Sequence, residues 1–232
     1  MKLFFNYDNK FLQTFIYLFS KPEAVIGCYI DGTRKKYVNV ISYFAISLTV
    51  FGLQLFVMNT FFKDAFDLSS FNKSISSGFD SPEAFIQSQE QFQKTLSNYQ
   101  SLIYILTTPL TAFITWLVFY ITKKRNYNYT EHIVINLYYS AQVIIVTAFS
   151  TILLMCFGLN FYTISFIFTF LSFVYLAFIF KKLYALKIQE TIVNVLFFVL
   201  LYGLIFVLIM VITIIIGIIL VKIFGIEFNF AT

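Results

Sequence analysis

Charged side chains drop out of four long stretches of this chain, and the apolar runs left behind have the length of membrane spans. A bilayer core about 30 Å thick is crossed by roughly 20 apolar residues in a helix. The stretch between Lys36 and Lys63 predicts a first span over 38–58, and the stretch between Lys94 and Lys123 a second over 102–122. Pro109 falls inside the second, so a kink is expected near Thr107 and Thr108, whose hydroxyls can meet freed carbonyls. The stretch 133–180 would be about 72 Å long as one helix, more than twice the core thickness. It must turn back, and Gly158-Leu159-Asn160 is the turn signal near its middle, giving spans over 133–157 and 161–180. The last stretch, 191–221, measures about 46 Å as a helix, too long for an upright span and too short for two. A single tilted or protruding helix is expected, with Gly203 and Gly217 allowing close neighbours. A re-entrant hairpin is the alternative. The expected fold is an all-α integral membrane bundle of five spans.

The polar stretches complete the layout. In the insert 59–101, Ser81-Pro82-Glu83 reads as a helix start, and Phe85, Phe92, Leu96 and Tyr99 recur on one helical face. That helix either packs on the outer ends of the spans or continues the second span outward. Near the N-terminus, Phe11, Leu12, Phe15, Ile16 and Phe19 alternate with polar residues at helical spacing. They predict a short helix in the membrane interface, or one packed against the membrane domain. Ser20 and Glu23 have capping-box spacing, so a second short helix is expected over 21–30, stopped by Gly32. The chain thus divides into an interfacial segment, 1–37, and a membrane domain, 38–232, with one helical insert outside.

Composition excludes a soluble reading. Hydrophobic residues make up 59% of the chain and charged ones 12%, against about 25% charged in globular proteins. The 32 Phe and 16 Tyr exceed what a core of this size can bury, a difficulty that lipid solvent removes. Lys and Arg also set a polarity. Twelve of the 16 fall in 1–37, 123–132 and 181–190, and the other four are Lys63, Lys73, Lys94 and Lys222. A cytoplasmic N-terminus, an extracytoplasmic C-terminus and location in the cell membrane follow as expectations. The net charge of +5 reflects this topology and implies no nucleic-acid partner. No cleavable signal peptide is expected, because Asn6, Asp8, Asn9 and Lys10 interrupt the N-terminal apolar run. Cys28 and Cys156 lie far apart and His132 is the single histidine, so neither a metal site nor a cofactor is expected.

Candidate chemistry is sparse. Three consecutive cations, Arg34, Lys35 and Lys36, stand directly before the first span. They read as a positive-inside anchor or, more sharply, as a lipid-phosphate site at headgroup depth. Glu131-His132 is the one acid–histidine pair. As a relay it would join a group that titrates near neutrality to a carboxylate that tunes it. As a helix start it would have Thr130 as N-cap and Glu131 near the positive dipole end. Gln54, Asn136, Gln142 and Asn194 are the strongly polar side chains at membrane depth, and interhelical hydrogen bonding is their default role. No nucleophile elbow, phosphate loop or zinc-protease motif is present, so no enzyme activity is expected.

The run from Pro22 through Tyr37, continuing into Ile41-Ser42-Tyr43, resembles an uncharacterised bacterial membrane family, the domain of unknown function numbered 3667. Tyr29, Gly32, Arg34 and Tyr37 sit at the family's motif spacing, and Glu131-His132 resembles the pair that opens a later helix in its members. Many members begin with a paired-cysteine ribbon, which this sequence lacks, so no metal role is carried over. The resemblance implies architecture and no activity. The five-span layout is also similar to that of Yip-type membrane proteins. The expected function is a non-catalytic membrane protein that organises lipids, including anionic headgroups, or a membrane-protein partner. The alternative is a small-solute permease whose path uses Asn136, Gln142 and Asn194. A continuous polar cavity between spans would favour the permease, a tightly packed bundle the organiser.

Overall fold

The structure is a computed structural model that describes residues 10–33, 35–62 and 83–224, with side chains omitted for 83–98 and for 214, 216–218 and 220–224. Seven helices make up the described chain: α1 (Lys10–Ser20), α2 (Pro22–Ile30), α3 (Val40–Phe61), α4 (Glu83–Ile121), α5 (Tyr129–Cys156), α6 (Phe161–Leu183) and α7 (Ile188–Phe224). There is no strand among the described residues. Five helices are long and apolar enough to cross a membrane: α3, α5, α6, Tyr99–Ile121 within α4, and Ile188–Thr213 within α7. The last apolar stretch is one continuous helix rather than a hairpin, so five spans stand.

Helix ends are set by local chemistry. Asn39, Asn128 and Asn160 each accept a bond from a first-turn backbone N–H and so cap α3, α5 and α6. At the other ends, α2, α4, α5 and α6 all close with the same paired bonds, in which two N–H groups beyond the helix meet carbonyls of its last turn. The residue between them takes positive φ: Gly32 (89°), Lys123 (59°), Gly158 (80°) and Ala185 (49°). Lys123 and Ala185 fall in or near the small left-handed region open to L-residues, whereas Gly32 and Gly158 lie beyond it.

Several expectations need correction. The cap of α5 is Asn128, not Thr130, and it completes a capping box with Glu131. Ser20 does not cap α2: its hydroxyl bonds back to the Ile16 carbonyl at 3.1 Å, and Lys21 stands at the cap without a side-chain bond. Thr107 and Thr108 bond to the Ile103 and Tyr104 carbonyls at 2.7 and 2.6 Å, two and one residues short of the Ile105 carbonyl that Pro109 releases. Nothing approaches within 4 Å of where a Cβ on Gly203 would stand, so it is no close-packing point. Helix α4 runs unbroken from Glu83, which makes the helical part of the insert a continuation of the second span. Ser81 and Pro82 lie outside the described residues, as do the side chains of Phe85, Phe92 and Leu96 and the surroundings of Gly217.

Helices α1 and α2 do not lie flat on the membrane domain. Phe11 meets Tyr43 near the start of α3 at 5.6 Å, whereas Phe19 meets Tyr175 at 5.7 Å. Tyr175 stands eight residues before the end of α6, about 12 Å along its axis. Helix α2 then returns, with Val25 and Ile26 buried in the same core as Ile135, Tyr138 and Ile179. The pair is a wedge packed against α3, α5 and α6. Its buried face carries Thr14 and Leu18, while Leu12, Ile16 and Phe19 are exposed for lipid.

Candidate functional site

Three spans begin and two end on the side where the wedge enters, and their basic residues gather there. Lys124 pairs with Glu190 at 2.8 Å, joining the α4–α5 connection to the first turn of α7. Tyr127 reaches the Leu183 carbonyl at 3.5 Å across the same gap. Burial and the neighbouring Asp31 and Glu131 carboxylates push the Tyr127 phenol up from its ordinary value. Lys35, Lys123, Arg125, Lys181, Lys182 and Lys187 are exposed on this face. Arg125 stacks on Tyr120 at 3.8 Å, and Lys36 sits 5.2 Å above the Tyr37 ring. Arg34 lies outside the described residues.

The motif around Gly32 is the joint between wedge and first span. Tyr29 packs edge-on against Tyr138 of α5 at 6.0 Å, and Tyr37 packs against Tyr17 of α1 at 5.7 Å. Between them Gly32 turns the chain, with the Thr33 amide bonded to the Cys28 carbonyl at 2.8 Å. The chain after the joint is clamped as well. Val38 donates to Thr14 of α1 at 3.0 Å and accepts from the Tyr138 hydroxyl at 2.8 Å. Glu23 Oε2 and the Tyr37 hydroxyl are buried in this region without a hydrogen-bond partner.

Glu131 and His132 are neighbours in sequence but turn to different partners, because successive helical residues point about 100° apart. The Glu131 carboxylate accepts from the Asn128 amide at 2.6 Å. His132 is fully buried between Thr115 Oγ1, 3.0 Å from Nδ1, and the Tyr184 hydroxyl, 2.9 Å from Nε2. Asn136 donates to Thr115 at 2.9 Å and to the His132 carbonyl at 2.8 Å. Thr115 in turn donates to the Ala112 carbonyl at 3.0 Å. One proton arrangement uses every donor: Nδ1–H toward Thr115, and the Tyr184 hydroxyl toward Nε2. Phe119 stacks on Tyr184 at 3.8 Å and seals the network. It ties α4, α5 and α6 together.

The other polar residues at membrane depth are kept apart. Gln142 accepts from the Tyr43 hydroxyl and donates to the Phe15 carbonyl at 3.2 Å, joining α5 to α3 and to the wedge. Asn194 accepts from Thr122 at 2.9 Å and donates to the Glu190 carbonyl at 2.7 Å, joining α7 to α4. Gln54 contacts the Met58 sulfur at 3.6 Å and lines a cavity of about 430 Å³. That cavity lies between α3, α4, α5, α6 and α7, in the half of the bundle away from the basic face. It stops near mid-depth. Below it the basic half is filled by Tyr43, Phe119, Ile135, Tyr138 and Phe180, all nearly or fully buried. Sequence reasoning missed this cavity, whose threonines and serines look unremarkable along the chain.

A bundle in which five helices are apolar enough to span a membrane, with a basic face at one end among the described residues, defines a multi-pass membrane protein. Residues 8–52 match the family described as Protein of unknown function (DUF3667), as the motif led us to expect. The match covers the wedge, the Gly32 joint and the first half of α3, so the resemblance attaches to a structural unit. No curated protein and no solved structure matches the chain.

Proposed function

We propose that this is a non-catalytic protein of the cell membrane that gathers anionic lipids around its basic face, with the N-terminus cytoplasmic and the C-terminus outside. The observation that supports this most is the meeting of exposed cations from three connections beside a helical wedge packed against the same end of the spans. A cation near an anionic leaflet contributes about 1 kcal/mol. The wedge adds apolar faces, Leu12 and Ile16 among them, at the depth of the acyl chains beneath those headgroups. A membrane-protein partner would sit along α7, most of whose apolar length is exposed.

The permease reading lacks support for its path. Asn136, Gln142 and Asn194 occupy three separate hydrogen-bonded sites, and the polar cavity ends at a packed aromatic layer. The test is lipid analysis of the protein extracted in native nanodiscs. Phosphatidylglycerol or another anionic lipid should be enriched around the wild type. Combined Lys35→Gln, Lys36→Gln, Lys181→Gln and Lys182→Gln should abolish that enrichment without loss of folded protein. A lipid shell matching the bulk membrane in both proteins would overturn the proposal.

A further inference from the structure

The cavity in the half away from the basic face has a chemistry of its own, independent of the basic-face reading. The hydroxyls of Thr107, Thr108, Thr111, Thr147, Thr169 and Ser172 all line it. Each donates its one proton to a carbonyl of its own helix, at 2.6 to 2.9 Å. They retain lone pairs as acceptors, and the Gln54 and Gln100 amides and the Tyr202 hydroxyl in the same lining bring donors, so the wall is polar in both senses. No charged side chain lines it among the described residues. Rings of Phe51, Tyr104, Tyr139 and Phe173 supply flat apolar faces between the hydroxyls.

That wall selects by charge. A phosphate headgroup would bring a negative charge into it with no cation to balance it. An ammonium headgroup would be buried without a counter-charge, at similar cost. A head carrying hydroxyls brings donors and no charge. The volume, about 430 Å³, is within the usual range of about 300–1,000 Å³ for small-molecule sites.

A second hollow of about 180 Å³ adjoins the first through Val143, Thr147, Phe168 and Ser172, which line both. Gln142, Val146, Leu171, Tyr175 and Phe19 of the wedge complete it, and its surface is almost wholly apolar. It runs along the seam between α5 and α6 and fits an alkyl chain. We propose that the two hollows form one site for an uncharged, hydroxyl-headed amphiphile, a diacylglycerol or neutral glycolipid. The head lies in the hydroxyl chamber and one chain along the α5–α6 seam.

The test uses the whole protein in phosphatidylcholine nanodiscs with two photoactivatable probes of identical chains, a diacylglycerol and a phosphatidylglycerol. The diacylglycerol should label α5 and α6 around Thr147 and Phe168 several-fold more than the phosphatidylglycerol does. Thr147→Val keeps the shape and removes an acceptor, and should lower labelling about fivefold. Thr147→Phe fills the shared wall and should abolish it, with the unfolding midpoint of each variant showing that the fold is kept. Should Thr147→Phe misfold, Ser172→Ala supplies the same reading as Thr147→Val. Unlabelled monogalactosyl diacylglycerol should compete. Competition by free glycerol alone would show a polyol site and overturn the amphiphile. Equal labelling by both probes, or labelling spread evenly along α7, would overturn the site itself.

Discussion

His132 shows how far a single residue's meaning depends on what lies across from it. Its ring has a partner on each nitrogen, so replacing it takes a bond from Thr115 and strands the Tyr184 hydroxyl in a buried layer. We expect His132→Ala to destabilise the protein by about 1–3 kcal/mol. Glu131→Gln should cost less than about 1 kcal/mol, since glutamine also completes a capping box. Thermal unfolding in detergent checks both, and a larger effect at Glu131 would refute the assignment. In a double-mutant cycle, Tyr184→Phe should lose most of its cost once His132 is already alanine. Ala185 offers the opposite change. It occupies a left-handed position with φ of 49°, so Ala185→Gly should stabilise by about 1 kcal/mol, read as a raised unfolding midpoint. Tyr184 also carries a pH dependence. Burial, then the neighbouring Tyr127 and Glu131, push its phenol well above the ordinary value of about 10. The stability it contributes is complete below that ordinary value and is lost as pH rises above it. Unfolding midpoints should therefore fall more steeply above about pH 10 in the wild type than in Tyr184→Phe.

At the scale of elements, the wedge is the least expected part of the molecule. Alone, two helices of 11 and 9 residues would be marginal in water. Here they are held by bonds reaching across the bundle, from Tyr175 to the Leu18 carbonyl at 3.1 Å and from Gln142 to Phe15. Gly32 decides how the wedge is joined to the first span. Its φ of 89° is unfavourable for any L-residue, although there is open space around it. Gly32→Ala should therefore lower the yield of folded protein through backbone strain alone, by about 1–2 kcal/mol. Gly158→Ala, with φ of 80°, should do the same at the tight turn between α5 and α6. Silent outcomes at both would show that these turns relax freely.

For the whole molecule, the polarity of basic residues is the property most open to measurement. Reporter fusions after Ser101, Arg125, Asn160, Lys187 and Thr232 should alternate sides, with Arg125 and Lys187 cytoplasmic and the other three outside. A cytoplasmic Thr232 would contradict the proposed orientation and the odd number of crossings. Helix α7 belongs to this scale too. It is apolar all round and most of its surface is exposed, a state that water would penalise and lipid does not.

Length and hydropathy alone determined that the chain crosses a membrane, where its five spans fall, and which connections carry the cations. Those properties are additive along the sequence, since each residue's cost of transfer into lipid depends little on its neighbours. The Gly32 and Gly158 stops were legible for the same local reason. Tertiary structure alone decided the rest. Whether residues 10–30 stand apart from the bundle or pack into it depended on Tyr175 and Gln142, more than a hundred residues away. Glu131 and His132 parted because helix geometry aims adjacent side chains at different neighbours. The hydroxyl-lined cavity arises where five helices fail to meet, and a space between elements leaves no mark on any one of them.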